Sequence, residues 1–191
     1  MGKCATVLTS CWALLLIGCS GAPDPQPATS IPTSPPPTKA VDVARYREHP
    51  CQIMPKTIDE RFQLSNRKEA LNQVVPPVKM SGSTCEAYRA PASVPDAILI
   101  LYSEGQPASE VRSYQLPSAK AKPVSVRGFP AIAWQLTSAD TPGGSPICIV
   151  FADFAGNQAL AASFSLAAGD HGDVCGGAQQ VLDLVLEKLV G

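Results

Sequence analysis

The sequence predicts an α+β domain: a mostly antiparallel sheet packed against an N-terminal and a C-terminal helix and stapled by two disulfides. Short runs rich in β-branched and aromatic residues, of which 98–102 and 147–154 are the most apolar, are flanked by turn-forming residues and read as strands. One apolar stripe at helical spacing, Ala178, Val181, Leu182, Val185 and Leu189, closes the chain. Four cysteines, Cys51, Cys85, Cys148 and Cys175, are spread through the stretch that carries these signals.

Each element follows from local pattern. Pro55 can open a short helix in which Ile58 and Phe62 fall four apart, on one face. Residues 84–90 and 96–103 read as neighbouring strands split by a Pro-bounded turn at 91–95, and 108–115 as a short helix. Residues 124–126 lead through a Gly128-Phe129-Pro130 break into a strand over 131–137. There Ile132, Trp134 and Leu136 alternate with smaller or polar residues, which places Trp134 in the core rather than under a ligand. Residues 140–146 form a turn-rich loop. Residues 147–154 and 158–165 form a hairpin around Ala155-Gly156-Asn157. Asp173 is placed to cap the final helix. Helix, sheet and closing helix make two layers.

The N-terminal segment carries a different message. Lys3 supplies a positive start, residues 7–17 an apolar run broken only by Thr9 and Ser10, and Leu16-Ile17-Gly18-Cys19 a lipobox-like end. The run is too short to cross a hydrocarbon core as a helix, which takes about 20 residues, and it fits the core of a secretory signal. Because it ends Gly-Cys and not Ala-x-Ala, Cys19 reads as the attachment point for diacylglycerol, with cleavage before it. Residues 1–18 are then a lipoprotein signal peptide. Residues 19–40 are a lipidated cysteine with a Pro/Ser/Thr-rich linker, and 41–191 are a single domain. The expected location is the extracytoplasmic face of the cell membrane, with the membrane itself as partner through Cys19. Pro23, Pro25, Pro27 and Pro32 lead into Pro35-Pro36-Pro37. Such a linker cannot bury enough apolar surface to fold, and as polyproline II it would span up to roughly 60 Å.

Composition excludes some partners. A formal net charge of −1, with no block of like charges, argues against nucleic-acid binding, which needs a basic face to neutralise phosphates. It argues equally against a polybasic grip on anionic lipid. Of the seven cysteines, Cys4 and Cys11 leave with the signal and Cys19 takes lipid. The four that remain in an exported chain read as two disulfides. Three pairings are open. Cys51–Cys85 with Cys148–Cys175 is favoured, because each pair lies within one half of the domain and joins a strand to a helix or its flank. A cysteine metal site competes poorly, since there is no Cys-x-x-Cys and no closely spaced histidine pair.

No nucleophile elbow, Ser-x-x-Lys, His-Glu-x-x-His or phosphate-binding loop occurs. Of the two histidines, His49 sits in an exposed lead-in. His171 belongs to Asp170-His171-Gly172-Asp173, where Asp170, His171 and Asp173 are candidate ligands for a divalent cation ahead of a helix. Capping by Asp173 and ordinary loop chemistry explain the same residues. Asp59, Glu60 and Arg61 read as a solvated helix face. No cofactor is expected. Two classes of function stay open. One is a non-catalytic binding or accessory module for a lipid, cell-wall component, solute or protein partner. The other is an envelope hydrolase with a site assembled from distant residues. The missing motifs, the tether and the disulfide frame favour the first.

Several stretches carry a family resemblance: the lipobox and linker; Tyr46 through Cys51; Ser83-Thr84-Cys85-Glu86-Ala87-Tyr88; Val126-Arg127-Gly128-Phe129-Pro130-Ala131; Ile147-Cys148-Ile149-Val150; and Val174-Cys175-Gly176-Gly177-Ala178. Together they resemble the actinobacterial lipoproteins of domain-of-unknown-function family 3558, which includes mycobacterial Lpr-type lipoproteins. The resemblance spans about 45–189 and rests on the order and spacing of the four cysteines. It implies an actinobacterial envelope lipoprotein and supports the two-bridge pairing. Tyr88 stands where many members have a tryptophan. The family carries no functional residue over to this chain.

Overall fold

The computed structural model describes residues 41–74, 80–90, 95–102, 104–105, 107–113, 120–137, 141, 144–166 and 172–191. Residues 1–40, which hold the expected signal, Cys19 and the expected linker, lie outside these residues, as do Asp170, His171, most of the 91–95 turn and part of the 140–146 loop.

Two single 3-10 turns, Ala44–Tyr46 and Pro50–Gln52, precede helix α1, Lys56–Phe62. Strands β1 (Asn66–Val74), β2 (Ser81–Tyr88) and β3 (Ala97–Tyr102) follow, then helix α2 (Pro107–Ser113). The second half holds β4 (Lys120–Val126), β5 (Phe129–Leu136), β6 (Ile147–Asp153) and β7 (Ala159–Ser165), and helix α3 (Val174–Val190) ends it. All seven strands form one antiparallel sheet in the order β1-β2-β3-β7-β6-β5-β4. Two meanders thus meet where β3 pairs with β7, Leu99 opposite Ala162 and Leu101 opposite Leu160.

The strand alternation sorts side chains between two cores. Cys85, Leu99, Ala133, Val150, Leu160 and Phe164 face α1 and α3. From α3 come Val181, Leu182, Val185 and Leu186, all fully buried. Asp173 caps this helix, its Oδ1 accepting from the Gly176 N–H at 2.8 Å. Ile58 of α1 is buried, and Phe62 packs its ring 4.9 Å from that of Phe164. The opposite face carries a second core of Ile100, Tyr102, Ile132, Trp134, Ile149 and Phe151, against which Ala108 and Val111 of α2 pack. The expected two-layer arrangement is therefore corrected: a small third layer covers part of the far face. The physical signal was present in the sequence, since near-continuous apolar strands are strands buried on both sides.

Both predicted bridges form, Cys51–Cys85 from the second 3-10 turn to β2 and Cys148–Cys175 from β6 to the first turn of α3. Three local readings change. The expected break at 128–130 is a two-residue turn of Arg127 (φ 49°) and Gly128 (φ 82°), with Phe129 and Pro130 inside β5. Positive φ at both positions matches the hairpin turn whose twist suits the flanking strands. Strand β1 has no counterpart in the sequence reading, because all its described positions are exposed or half-exposed and no alternation shows. What fixes it is Arg67, whose guanidinium donates to Cys51 O (3.3 Å), Met54 O (2.6 Å), Pro55 O (2.9 Å) and Asp59 Oδ1 (3.0 Å). Asp59 is thus an ion-pair partner of β1, not a residue on a solvated face. At the other end of the sheet, β4 is an edge strand that contains Pro123 and Lys122, residues that discourage further strand addition.

Candidate functional site

The irregularity in β1 creates the site. Ala70 pairs with Thr84 and Gln73 with Gly82, so Leu71 and Asn72 together stand opposite the single residue Ser83. Bulges of this kind bend the strand and re-aim side chains, and they gather next to functional sites. Asn72 takes φ 53°, a left-handed conformation that asparagine tolerates better than most residues. Gln73 Nε2 donates to Leu71 O at 2.8 Å and steadies the bulge. Where β1, β2 and β3 end together, a cleft of about 470 Å³ opens.

Its lining is mixed. Arg47, just past the first 3-10 turn, donates through Nη2 to Asn72 Oδ1 at 2.9 Å. Ser81, Ser83 and Glu104 add polar groups, and Leu101 and Met80 add apolar surface. Gly105 closes one wall at φ +102°, and a Cβ there would lie 1.3 Å from Met80 Cε. The positive φ is what favours glycine, whereas the Met80 methyl is the end of a flexible side chain that could move aside for a Cβ. Ser83 is 2% exposed, and its Oγ is buried with no hydrogen-bond partner among the described residues. A buried hydroxyl left unpaired costs about 1–3 kcal/mol; Tyr102 Oη and Arg89 Nε are also buried without a partner among the described residues, but of the three only Ser83 lines this cleft. Arg47 carries no acidic partner among the described residues. Arg67 pairs with Asp59, and Arg127 with Asp183 (3.1 Å) and Glu187 (3.0 Å), whereas Arg47 has only a neutral amide among the described residues.

The sequence-predicted candidates lie elsewhere. Asp173 is a helix cap, and the described residues hold no group of His, Cys, Asp and Glu able to bind a metal ion. The other two proposed ligands, Asp170 and His171, lie outside the described residues. His49 is exposed, 3.7 Å from Glu69 Oε2, and does not line the cleft. Trp134 is 2% exposed in the second core, as its alternation predicted. The groups with displaced pKa values are also outside the cleft. The hydrogen bond to Glu86, with burial second, raises Tyr88 to about 12. Burial, with Glu110 adding to it, pushes Tyr102 well above the usual phenol value. Both phenols stay neutral at physiological pH. Arg47, Asn72, Ser83 and Glu104 were not singled out from sequence. A second cleft of about 410 Å³ lies between α3 and the β4–β5 turn, but Arg127 on its wall is already neutralised by Asp183 and Glu187.

A single antiparallel sheet with helices on both faces, one bridge in each half and a bulge cleft at one corner define a two-bridge α+β domain. The family model described as "Protein of unknown function (DUF3558)" matches residues 14–188, and the chain belongs to that family. No curated protein and no solved structure matches the chain.

Proposed function

We propose that this protein is a lipid-anchored envelope protein of the actinobacterial type, whose domain binds a small polar molecule in the bulge cleft without transforming it. The observation that carries the reading is the buried, unpartnered Ser83 Oγ in the cleft wall. A serine nucleophile needs an adjacent base, and no such group lies within hydrogen-bond distance of this hydroxyl among the described residues. That counts for binding over the hydrolase alternative. The anchor rests on Leu16-Ile17-Gly18-Cys19 and the proline-rich linker behind it. No helix among the described residues is long and apolar enough to cross a membrane, so attachment falls to lipid on Cys19 in this proposal.

Two measurements test it. Cys19→Ala is expected to release the protein from membranes or leave an uncleaved precursor. A variant that stays in the membrane fraction at the lipidated mature mass of the wild type rejects the anchor. Ser83→Ala is expected to leave the urea-unfolding free energy unchanged or raise it by up to about 1–3 kcal/mol, because it removes an unpaired buried hydroxyl. A loss of more than about 1 kcal/mol would show that the hydroxyl is a structural group, and the cleft would lose its main support as a binding site.

A further inference from the structure

Taking the bulge cleft as a binding site, we infer that its ligand is a small polyhydroxylated carboxylate of the sugar-acid class, with the carboxylate on Arg47 and a hydroxyl reaching Ser83 Oγ. Arg47 supplies a planar donor fork suited to a carboxylate. One arm is held by Asn72 Oδ1 at 2.9 Å, which orients the guanidinium without neutralising it. Asn72 keeps its amide N–H donors for a ligand oxygen, since its carbonyl oxygen is the atom taken by Arg47. Ser83 and Ser81 hydroxyls can donate or accept, and Glu104 can only accept while ionised. Donors and acceptors set side by side around one cleft match several hydroxyl groups better than a purely anionic or purely apolar ligand.

Two further features narrow the class. Glu104 places a negative charge on the same cleft as Arg47, which favours a single carboxylate over a doubly charged phosphate by like-charge repulsion. Leu101 and Met80 offer apolar surface of the kind that the C–H face of a sugar ring covers. The cleft volume of about 470 Å³ falls within the range of small-molecule sites.

The test is methyl NMR on the full-length chain in detergent, labelled at methionine methyls. Met80 lines the cleft, and Met54, at 2% exposure in the main core, is the internal control. The probes are sodium glucuronate and glucose, which differ at one carboxylate. Glucuronate is expected to shift the Met80 methyl saturably and leave Met54 in place, with glucose binding roughly 10–100-fold more weakly. Raising ionic strength should weaken glucuronate more than glucose, because the Arg47 contact is solvent-facing. Arg47→Gln should bring glucuronate down to the level of glucose with an unchanged thermal midpoint. Equal binding of both sugars, or glucuronate binding that survives Arg47→Gln, overturns the carboxylate assignment and leaves the cleft standing as a binding site. No Met80 shift with either probe at tens of millimolar overturns the sugar-acid class, and an unshifted Met80 together with a destabilised Ser83→Ala overturns the binding reading as well.

Discussion

Replacing Trp134 with alanine is expected to lower the unfolding free energy by about 3–5 kcal/mol, the usual cost of emptying a buried indole site. Trp134 is 2% exposed and sits opposite Ile149 on one side and Ala121 on the other, in the core shared with Phe151, Ile132 and the inner face of α2. None of these neighbours can refill the volume, because the strands on both sides are held in register by the ladder. Urea unfolding followed by circular dichroism measures the loss. A drop below about 1 kcal/mol would mean that the face under α2 is not a true core.

The second large effect belongs to the bridge between β6 and α3. Cys148→Ala with Cys175→Ala should cost about 2–5 kcal/mol, and the loop-closure model gives roughly 3.5 kcal/mol for a bridge of this span. The separation is 27 residues, against 34 for Cys51–Cys85, so the model assigns the two bridges nearly the same value. Local structure breaks the tie. Cys148 is fully buried beneath α3, and its sulfur bonds directly to the first turn of that helix. Val181, Leu182, Val185 and Leu186 depend on the helix staying where that bond puts it. The Cys51–Cys85 bond instead ties down a 3-10 turn that Arg67 already grips through the Cys51 carbonyl and, just after it, through those of Met54 and Pro55. The pair at 148 and 175 should therefore show the larger loss in denaturant midpoint. If removing Cys51 and Cys85 costs more, the helix is held mainly by its apolar face.

What was legible from the sequence depended on whether a residue's environment was set by its near neighbours. The closing helix could be read because its stripe and its Asp173 cap lie within one stretch of chain, and both are present. Strands β2, β3, β5, β6 and β7 could be read because apolar residues recur along them, whereas β4 showed only as the 124–126 lead-in; the cysteine pairing could be read because each pair sits in one half. Strand β1 could not, since an edge strand held by a polar guanidinium has no apolar period to show. The cleft was hidden for the same reason. Arg47, Asn72, Ser83 and Glu104 come from four separate segments, and a bulge in the unread strand is what opens space between them. Ser83 stands in one of the stretches that carry the family resemblance, Ser83 to Tyr88, but only the burial of its hydroxyl without a partner distinguishes it from an ordinary strand serine.

The meeting of the two meanders at β3 and β7 has a kinetic consequence. Within each half, neighbouring strands follow one another along the chain, and each disulfide closes over a short span of 27 or 34 residues. The central ladder, by contrast, joins Leu99 to Ala162 across the whole stretch of chain that holds β4, β5 and β6. Pairings so distant in sequence slow folding, because their loop entropy is lost before any contact repays it. Oxidation can lock each half before the centre closes, so the zipping of two covalently secured halves along the β3–β7 seam is expected to come last. In a chain chased through oxidative refolding, the native bridges should appear before the protection of the β3 and β7 amides from hydrogen exchange.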